Sequence, residues 1–393
     1  MWIFNVLLTQ LDKGNAVLMA LLDLSAAFDT VDHTILKRRL QMTHGIDGKA
    51  LEWVASYLSN RTMRVCVDGE YSHDLSWDVS LPQGSQLGPR FYSDYTQPMG
   101  RLIRIIELLF SGFADDTQLL KPVTSPADIP SALEHLSNGI RRIGTWMYDN
   151  KLKLNPDKTE FLIITSQRNQ PKYDVQSLAL DDEIIARSAT ARNLGVTIDS
   201  ELNLENHIAN MVKTCYFYIR WLRNIRPYIS EAMAKSLVHA LVLSRIDYCN
   251  GILVGLPKKQ LRKLQMVMNT AARLISGKRK YDSITETLIE LHWLPVIERC
   301  EYKVLLMVFK SLNNIAPVYI KDLVKLYQSC RRLRSTDKLL LEVPRFRTKY
   351  GERSFMCMAP RLWNDLPFEL RSITELSVFK RSLKTHLFRK AYF

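Results

Sequence analysis

The sequence predicts an α+β fold class, in which an antiparallel sheet with packed helices is followed by an all-α region. Residues 15–24, "NAVLMALLDL", form an almost continuous apolar run of strand length, which indicates a strand buried on both faces. Residues 108–120, "LLFSGFADDTQLL", contain two runs that are typical of buried strands and meet at Asp115 and Asp116, which predicts a hairpin. From about Asn206 onward, apolar residues recur mostly at helical spacing.

The remaining elements of the first half follow in order. Helices are predicted over "TVDHTILKRRLQM", where Leu36 and Leu40 share one face, and over "GKALEWVASYLSN". Asp68-Gly69 predicts a hairpin turn, and the loop "SLPQGSQLGPRF" leads toward another helix. Residues 122–130 are predicted as loop, followed by a helix over "SALEHLSNGIRRIGTWMYDNKLKLN". Strands are predicted over "KTEFLIIT" and "ARNLGVTID".

The chain of 393 residues is long enough for two or three domains, and its net charge of +14 is unevenly distributed. Residues 1–200 contain 20 Lys and Arg against 24 Asp and Glu, whereas residues 201–393 contain 34 against 16. The acidic half favours metal ions, and the basic half favours a polyanion such as nucleic acid. The alternative is that the excess of Lys and Arg serves only solubility.

The six cysteines are scattered without a CxxC pair or a zinc-type Cys/His cluster, which indicates reduced thiols in an intracellular protein. No apolar run reaches the length of a membrane span, and the first residues lack the basic segment and cleavage site of a secretory leader. We therefore expect a protein of the nucleus or cytoplasm with no membrane partner.

Carboxylates end the two strand regions that lie nearest to the centre of the predicted sheet. Asp23 ends the first strand, and Asp115 and Asp116 lie at the hairpin tip. If these strands are neighbours, three carboxylates converge and raise each other's pKa unless a cation neutralises them. Oxygen ligands without His or Cys suit Mg²⁺ or Mn²⁺, and two such ions can assist phosphoryl transfer. The alternative is a hairpin with an ordinary polar tip.

Several motifs occur together in one order. These are "LLDLSAAFDTVDH", "PQGSQLG", "FADD", "LKLNPDKTEFL" and "NLGVTID". In this order and rough spacing they resemble the reverse transcriptase of non-LTR retrotransposons of the LINE type. The later segments "LSRIDYCNGILVGLP", "LHWLPVIERCEYKVLLMVFKSLN" and "RSFMCMAPRLWNDLPFELR" are similar to the C-terminal region of the chicken-repeat-1/LINE-2 group.

The resemblance implies a domain organisation and an activity. Residues 1–200 would form a polymerase palm, residues 201–285 a helical thumb, and residues 286–393 a basic helical C-terminal region. The activity implied is RNA-directed DNA polymerisation, in which an RNA template is copied onto a DNA primer 3′-OH from dNTPs, assisted by two Mg²⁺ or Mn²⁺ ions.

The resemblance also assigns roles to residues at matching positions. Asp23, Asp115 and Asp116 resemble the metal-binding catalytic carboxylates, and the Leu24 carbonyl would assist them. Phe28 resembles the aromatic gate that excludes a ribose 2′-OH, and its alternative is a plain core residue.

Three further positions match residues of the family that lie near the nucleotide. Gln83 and Gly84 match positions that contact the nucleotide and template, and their alternative is a turn made with Pro82. Lys158 resembles a lysine near the leaving pyrophosphate, where a cation offsets developing charge. Its alternative is a solvated lysine before a strand.

Other residues depart from the family pattern or have a simpler role. Position 113 is Phe where the family more often has Tyr, and polar Gln86, Arg90 and Asp94 stand in a helix that should pack under the active site. Unsatisfied polar groups there would cost about 1–3 kcal/mol each. Asp29 and Asp32 are predicted to lie at a helix start, where the macrodipole favours acids.

Only 22 residues precede Asp23, whereas the family has upstream fingers and an endonuclease. We therefore expect this chain by itself to show little or no polymerase activity. Two alternative functions remain at this point: a catalytically dead basic remnant that binds RNA or DNA, and a host gene product that reuses the fold as an interaction module.

Overall fold

The structure, a computed structural model, describes residues 1–25, 27–77, 79–180, 183–328 and 339–393. The chain forms two compact units: residues 15–194 are the sheet unit, and residues 1–14 with 195–393 are the helical unit. The first helix, α1 (Trp2–Asp12), belongs to the helical unit. Cys330 and the basic run "RRLR" that follows it lie outside the described residues.

The sheet unit alternates strands and helices. Its elements are β1 (Ala16–Ser25), α2 (His33–His44), α3 (Gly48–Leu58), β2 (Thr62–Met63), β3 (Cys66–Val67), β4 (Glu70–Tyr71), β5 (Leu75–Ser76), α4 (Gly88–Ile105), β6 (Leu109–Phe113), β7 (Asp116–Val123), α5 (Ile129–Asp149), β8 (Lys153–Ile164), β9 (Ser177–Leu180), β10 (Glu183–Ala186) and β11 (Thr190–Asn193), with short 3₁₀ helices at Pro126–Asp128 and Gln170–Lys172.

The main sheet has four antiparallel strands in the order β6-β7-β1-β8. All residues of β1 from Ala16 to Leu22 are buried, which confirms the prediction of a strand covered on both faces. Leu18, Ala20 and Leu22 pack into one core with apolar residues of α4 and α5. The predicted class of antiparallel sheet with packed helices is therefore confirmed for this unit.

Local signals in the sequence also form as predicted. Asp32 precedes α2 and its carboxylate accepts hydrogen bonds from the amides of Thr34 and Ile35, as a helix N-cap does. Asp68 and Gly69 join β3 to β4 with φ angles of 51° and 89°, as a two-residue hairpin turn requires.

The prediction that both runs around the Asp pair are buried was wrong for β6. This strand pairs only with β7, and Leu109 and Phe113 are exposed because it is the outer strand of the sheet. The loop predicted from Pro122 was also misplaced, since β7 continues to Val123. Pro122 is tolerated because β6 pairs with β7 only as far as Leu120, so no bond to β6 is lost.

The segment "ARNLGVTID", predicted as one strand, contains β11 and a further strand, β12 (Val196–Asp199). Leu194 and Gly195 interrupt it with φ angles of 45° and 79°, values that an extended strand does not adopt. This interruption coincides with the boundary between the two units.

Apart from β12, the helical unit is helical almost throughout, as the sequence predicted. Its other elements are α6 (Glu205–Ile225), α7 (Glu231–Val238), a π-helical turn (His239–Leu243), α8 (Ser244–Asp247), α9 (Lys258–Ser276), α10 (Thr285–Glu290), α11 (Val296–Leu312), α12 (Val318–Lys321), α13 (Lys349–Glu352), α14 (Phe355–Asn364), α15 (Phe368–Arg371) and α16 (Leu376–Tyr392), with 3₁₀ turns at Arg226–Tyr228 and Asn250–Leu253. In the described ranges, none of the helices is long and apolar enough to cross a membrane.

Helix α1 is fastened to the C-terminal part of the helical unit by two polar side chains. The Asn5 carbonyl accepts a hydrogen bond from the Met356 amide at 3.0 Å. The Asp12 carboxylate accepts bonds from the amides of Arg347 and Thr348 and from the Thr348 hydroxyl, at 2.7–3.2 Å. Because Thr348 is also the N-cap of α13, Asp12 holds the start of that helix.

We predict that Asp12→Ala lowers the free energy of unfolding by about 1–2 kcal/mol, because it leaves two backbone amides and one hydroxyl without their acceptor. Asp12→Asn is the matched control, since it keeps one carbonyl oxygen and should lose less. Denaturant unfolding measures both. Equal stability of the wild type and the alanine variant would contradict the assigned role.

Candidate active site

The ends of two neighbouring strands bring the predicted carboxylates together. Strand β1 pairs antiparallel with β7 as far as Leu22 opposite Thr117. One step further along each strand lie Asp23 and Asp116, and Asp115 precedes Asp116 in the hairpin turn. The prediction that all three residues share one end of one antiparallel sheet agrees with this arrangement.

The carboxylates influence each other electrostatically. Partial burial raises the pKa of Asp116 above its ordinary value, and the negative charges of Asp115 and Asp23 raise it further. A group whose pKa is raised by its neighbours is one that would gain from a nearby cation. The strand ends therefore concentrate negative charge.

One cation does approach this end of the sheet. Lys158 lies with its Nζ 3.6 Å from Asp23 Oδ2, and its side chain is 68% exposed. The same Oδ2 is buried and has no hydrogen-bond partner, so the contact is an ion pair rather than a hydrogen bond. An exposed lysine at this distance contributes little to stability. It remains available to another anion.

Lys158 lies in an irregular part of β8, where the register of its pairing with β1 shifts. Leu21 pairs with Glu160 and Asp23 with Asn155, so two steps along β1 correspond to five along β8. Thr159 closes the extra loop by donating from its hydroxyl to the Asn155 carbonyl at 2.8 Å. The alternative of a solvated lysine before a strand was wrong in position, because Lys158 lies inside β8, but the exposure of its side chain agrees with that alternative.

The first residue of the hairpin turn, Ala114, is not one that such turns favour. Phe113 pairs with Asp116, so Ala114 and Asp115 form a two-residue turn. Ala114 has a φ of 53°, a region that costs an L-residue about 1–2 kcal/mol and that Gly or Asn occupies more readily. The alternative of an ordinary polar turn therefore explains this sequence poorly.

Phe28, the predicted sugar gate, lies on a buried tyrosine. Its ring stacks on that of Tyr92 with centroids 4.6 Å apart, and Phe28 itself is only half-buried. Tyr92 is fully buried, and its hydroxyl has no hydrogen-bond partner. Burial raises the pKa of Tyr92, and the charge of Asp115 raises it further. Sequence reasoning missed Tyr92, since only the fold shows what lies beneath Phe28.

The loop with Gln83 and Gly84 is tied to the segment that carries Phe28. The Leu81 amide donates to the Phe28 carbonyl at 3.0 Å, and Gln83 Nε2 donates to Asp29 Oδ1 at 3.1 Å. The prediction that Asp29 belongs to a helix start was wrong, because α2 begins at His33 and Asp29 instead contacts Gln83. The loop of Gln83 and the segment of Phe28, which the resemblance places near the nucleotide, are thus held together.

Gly84 stands in a tight turn. Its φ is 82°, and the Ser85 amide donates to the Pro82 carbonyl at 3.1 Å across Gln83 and Gly84. The turn alternative for this motif is therefore present in the structure. It leaves the exposed Gln83 side chain at the corner of the turn.

The polar residues of α4 are satisfied, which corrects the expectation that they disturb the core. Gln86 was expected in this helix but lies before it, since α4 begins at Gly88, and it is exposed. Within α4, Arg90 is exposed and Asp94 is buried. The Arg90 Nε donates to Asp94 Oδ2 at 3.0 Å, and His44 Nε2 lies 3.5 Å from Asp94 Oδ1. The buried carboxylate therefore has two partners instead of an unpaired charge.

The donor set at the strand ends fits a divalent cation in chemistry. Asp23, Asp115 and Asp116 supply only oxygen ligands, and one buried oxygen of Asp23 lacks a hydrogen bond. Within the residues that the structure describes, however, no three or more His, Cys, Asp or Glu side chains form a group placed to hold a metal ion. The charge and the donor type of these residues therefore favour a metal ion here, but the side chains do not form a preformed metal-binding cage.

The chain is similar in sequence to known proteins. Residues 6–198 match the family model of the reverse transcriptase (RNA-dependent DNA polymerase). The chain is 25% identical over 287 residues to the RNA-directed DNA polymerase from mobile element jockey of Drosophila melanogaster, an alignment that covers 71% of this chain and 30% of that protein. It is 28% identical over 265 residues to the probable RNA-directed DNA polymerase from transposon BS of the same organism, covering 65% and 28%.

A more distant relative is the Pol polyprotein from the type-1 retrotransposable element R2 of Popillia japonica, 25% identical over 229 residues, covering 54% of this chain and 35% of that protein. The chain thus spans about a third of the length of these relatives. Among solved structures, apo telomerase from Candida tropicalis aligns with a TM-score of 0.38 at 13% identity, covering 76% of this chain and 49% of that chain.

We predict that Asp116→Asn stabilises the sheet unit at pH 7. Because the folded-state pKa of Asp116 is raised, its charged form opposes folding, and the destabilisation is present above the folded pKa. It disappears as pH falls below the unfolded pKa, where the acid is neutral in both states. Thermal unfolding against pH tests this, with exposed Asp149→Asn as control. A stability gain that persists at low pH would contradict the electrostatic cause.

We predict that Tyr92→Phe keeps or raises stability by up to about 1 kcal/mol, because it removes a buried hydroxyl without a partner. Tyr95→Phe is the matched control in the same helix. Tyr95 is equally buried but donates to the Asn150 carbonyl at 2.6 Å, so its loss should cost about 1 kcal/mol. Equal effects of the two substitutions in denaturant unfolding would refute the distinction.

Proposed function

We propose that this chain, whose residues 6–198 belong to the reverse transcriptase family, is the palm and thumb part of an RNA-directed DNA polymerase of a non-LTR retrotransposon. It binds an RNA template, a DNA primer and dNTPs inside the cell. The observation that supports this most is the placement of Asp23 and Asp116 one step beyond a shared strand pair, with Asp115 adjacent. Residues 15–194 supply the palm, and helices of residues 201–285 the thumb.

The three aspartates, with the Leu24 carbonyl, would hold Mg²⁺ or Mn²⁺ ions. When bound, such ions stabilise the attacking and leaving oxygens of a phosphoryl transfer. The aspartates themselves fix where positive charge can gather, since they are held by the backbone of β1 and β7. Their mutual repulsion, seen at Asp116, is relieved when that charge is present.

The remaining residues act by position and charge. Phe28, held on the Tyr92 ring, presents a rigid aromatic wall to the sugar, where a 2′-OH would collide with it. Gln83, oriented by Asp29, offers the rest of its amide to the nucleotide or template. Lys158 places a mobile cation beside Asp23, where negative charge develops on the leaving pyrophosphate.

A second candidate function is nucleic-acid binding by the same fold without catalysis. The excess of 34 Lys and Arg over 16 Asp and Glu in residues 201–393 favours nucleic-acid binding whether or not the carboxylates work. A reused interaction module is less well supported, because the strained turn at Ala114 serves no obvious purpose when Asp115 has no role.

The test of the polymerase proposal is single-nucleotide extension of a labelled DNA primer on an RNA template, with Mg²⁺ or Mn²⁺ as the added metal. We expect at most slow extension by this chain alone, and Asp115→Asn should lower it by about 100-fold or more, since it removes a charge that gathers the cation. Asp149→Asn, an exposed control in the same unit, should behave as the wild type does. Extension that survives in the Asp115 variant would overturn the site. Because little activity is expected of the chain alone, the binding-only alternative is favoured only if a chain fused to a relative's upstream segment is also inactive.

We predict that Phe28→Ala raises the use of rNTP relative to dNTP by about tenfold, which corresponds to about 1.4 kcal/mol of lost discrimination. The smaller side chain opens the space where a ribose 2′-OH would collide. Phe28→Tyr keeps the ring on Tyr92 and is the control. Competition between the two nucleotides measures the ratio. An unchanged ratio with a loss of stability would show that Phe28 is only a core residue.

A further inference from the structure

A basic groove lies between α15 and α16 in the helical unit, distant in sequence from the residues assigned above. Its cavity volume is about 480 Å³. One wall is formed by successive turns of α16, from Val378 through Arg381 and Thr385 to Arg389, and the other by the start of α15 with Leu370. None of the eight residues that line the groove is acidic.

The groove face of α16 is distinct from the face that the helix buries. Phe379, Leu383 and Leu387, four residues apart, are buried in the core of the helical unit. Arg381, Thr385 and Arg389 repeat at the same spacing on another face and are exposed. The core packing of α16 therefore does not require these arginines, and replacing them should leave the fold intact.

The charge and the spacing of the groove arginines indicate which kind of partner binds there. Arg381 and Arg389 are eight residues apart, which places them about 12 Å apart along the helix axis. One strand of a duplex presents a phosphate about every 3.4 Å along the helix axis, so this separation corresponds to three to four phosphate steps of a duplex strand. The Ser382 hydroxyl lies between the two arginines and can donate to an intervening phosphate oxygen, whereas the Thr385 hydroxyl already donates to the Arg381 carbonyl at 3.0 Å.

The walls of the groove also carry apolar side chains. Leu370 and Val378 supply apolar surface beside the arginines, and guanidinium planes can stack on bases. A regular polyanion with apolar faces matches both features, whereas an acidic peptide has no fixed charge repeat. We propose that this groove binds one strand of a nucleic acid through its phosphate backbone. The proposal rests on the proposed function only in the choice of polyanion.

The test measures binding of the full chain to a fluorescently labelled single-stranded RNA by anisotropy at several salt concentrations. The groove variant is Arg381→Gln with Arg389→Gln. The matched control is Lys321→Gln with Lys325→Gln, which removes the same charge from exposed positions outside the groove. With a slope of about −0.7 per phosphate contact, loss of two contacts should weaken binding about 25-fold at 0.1 M salt.

The expected result is this 25-fold loss for the groove variant, a shallower salt slope, and a change of less than about threefold for the control. Equal losses in both variants would overturn the proposal in favour of general charge attraction, and no loss in either would exclude the groove. Displacement of the RNA by poly-glutamate only when the groove arginines are present would also overturn it, in favour of an acidic peptide. RNA binding is measured without primer or dNTPs, so failure of the polymerase proposal is read separately.

Discussion

The main constraint on the sheet unit is that three carboxylates lie close together where the buried strand β1 leaves the core. Strand β1 is apolar from Ala16 to Leu22, so its first charged side chain stands at the point where it emerges. The antiparallel pairing with β7 sets Asp116 beside it, and the strained turn at Ala114 adds Asp115. Partial burial raises the pKa of Asp116 and repulsion among these charges raises it further, so part of the folding free energy is given up at this one place.

The surrounding elements fit that constraint. The irregularity in β8 brings Lys158 to Asp23, and the packing of α4 sets Tyr92 under Phe28. The loop of Gln83 is fastened to the same segment through Asp29. Local violations of ordinary preference, such as a positive φ at an alanine and an unsatisfied buried hydroxyl, gather within this region, as is common at functional sites.

Much of the fold could be predicted because its signals are local. The apolar run of β1, the Asp32 cap, the Asp68-Gly69 turn and the periodicity of the C-terminal helices each depend on neighbours in sequence. The carboxylate triad could also be predicted, since strand ends and chain order are visible in the sequence. Its roles in catalysis remain a proposal.

The features that were missed depend on distant partners. The exposure of β6 follows from its place at the outside of the sheet, which no local pattern reveals. The position of Lys158 follows from a register shift, and the partner of Asp29 lies 54 residues away. Asp94 is an exception, because the residue that satisfies it, Arg90, lies only four positions earlier in the same helix. Tyr92 carried no sequence signal beyond being an aromatic residue.

In the helical unit, too, some features could be predicted from neighbouring residues, whereas others depend on residues far apart in the sequence. Its amphipathic helices follow from periodicity, but the contact of Asp12 with Arg347 and Thr348 joins residues more than 330 positions apart. The excess of positive charge was clear from composition, whereas its arrangement as a groove along α16 required the buried face of that helix to be known.

Thermal unfolding in MgCl₂ and in NaCl of equal ionic strength tests the central claim most directly, because it compares site-specific relief of repulsion with general screening. A cation bound at ten times its Kd stabilises the folded state by about 1.4 kcal/mol. We predict a higher Tm in MgCl₂ at pH 7, a difference that shrinks as the carboxylates are protonated toward pH 4, and a smaller difference in Asp116→Asn. Identical Tm values in the two salts at every pH would contradict the account.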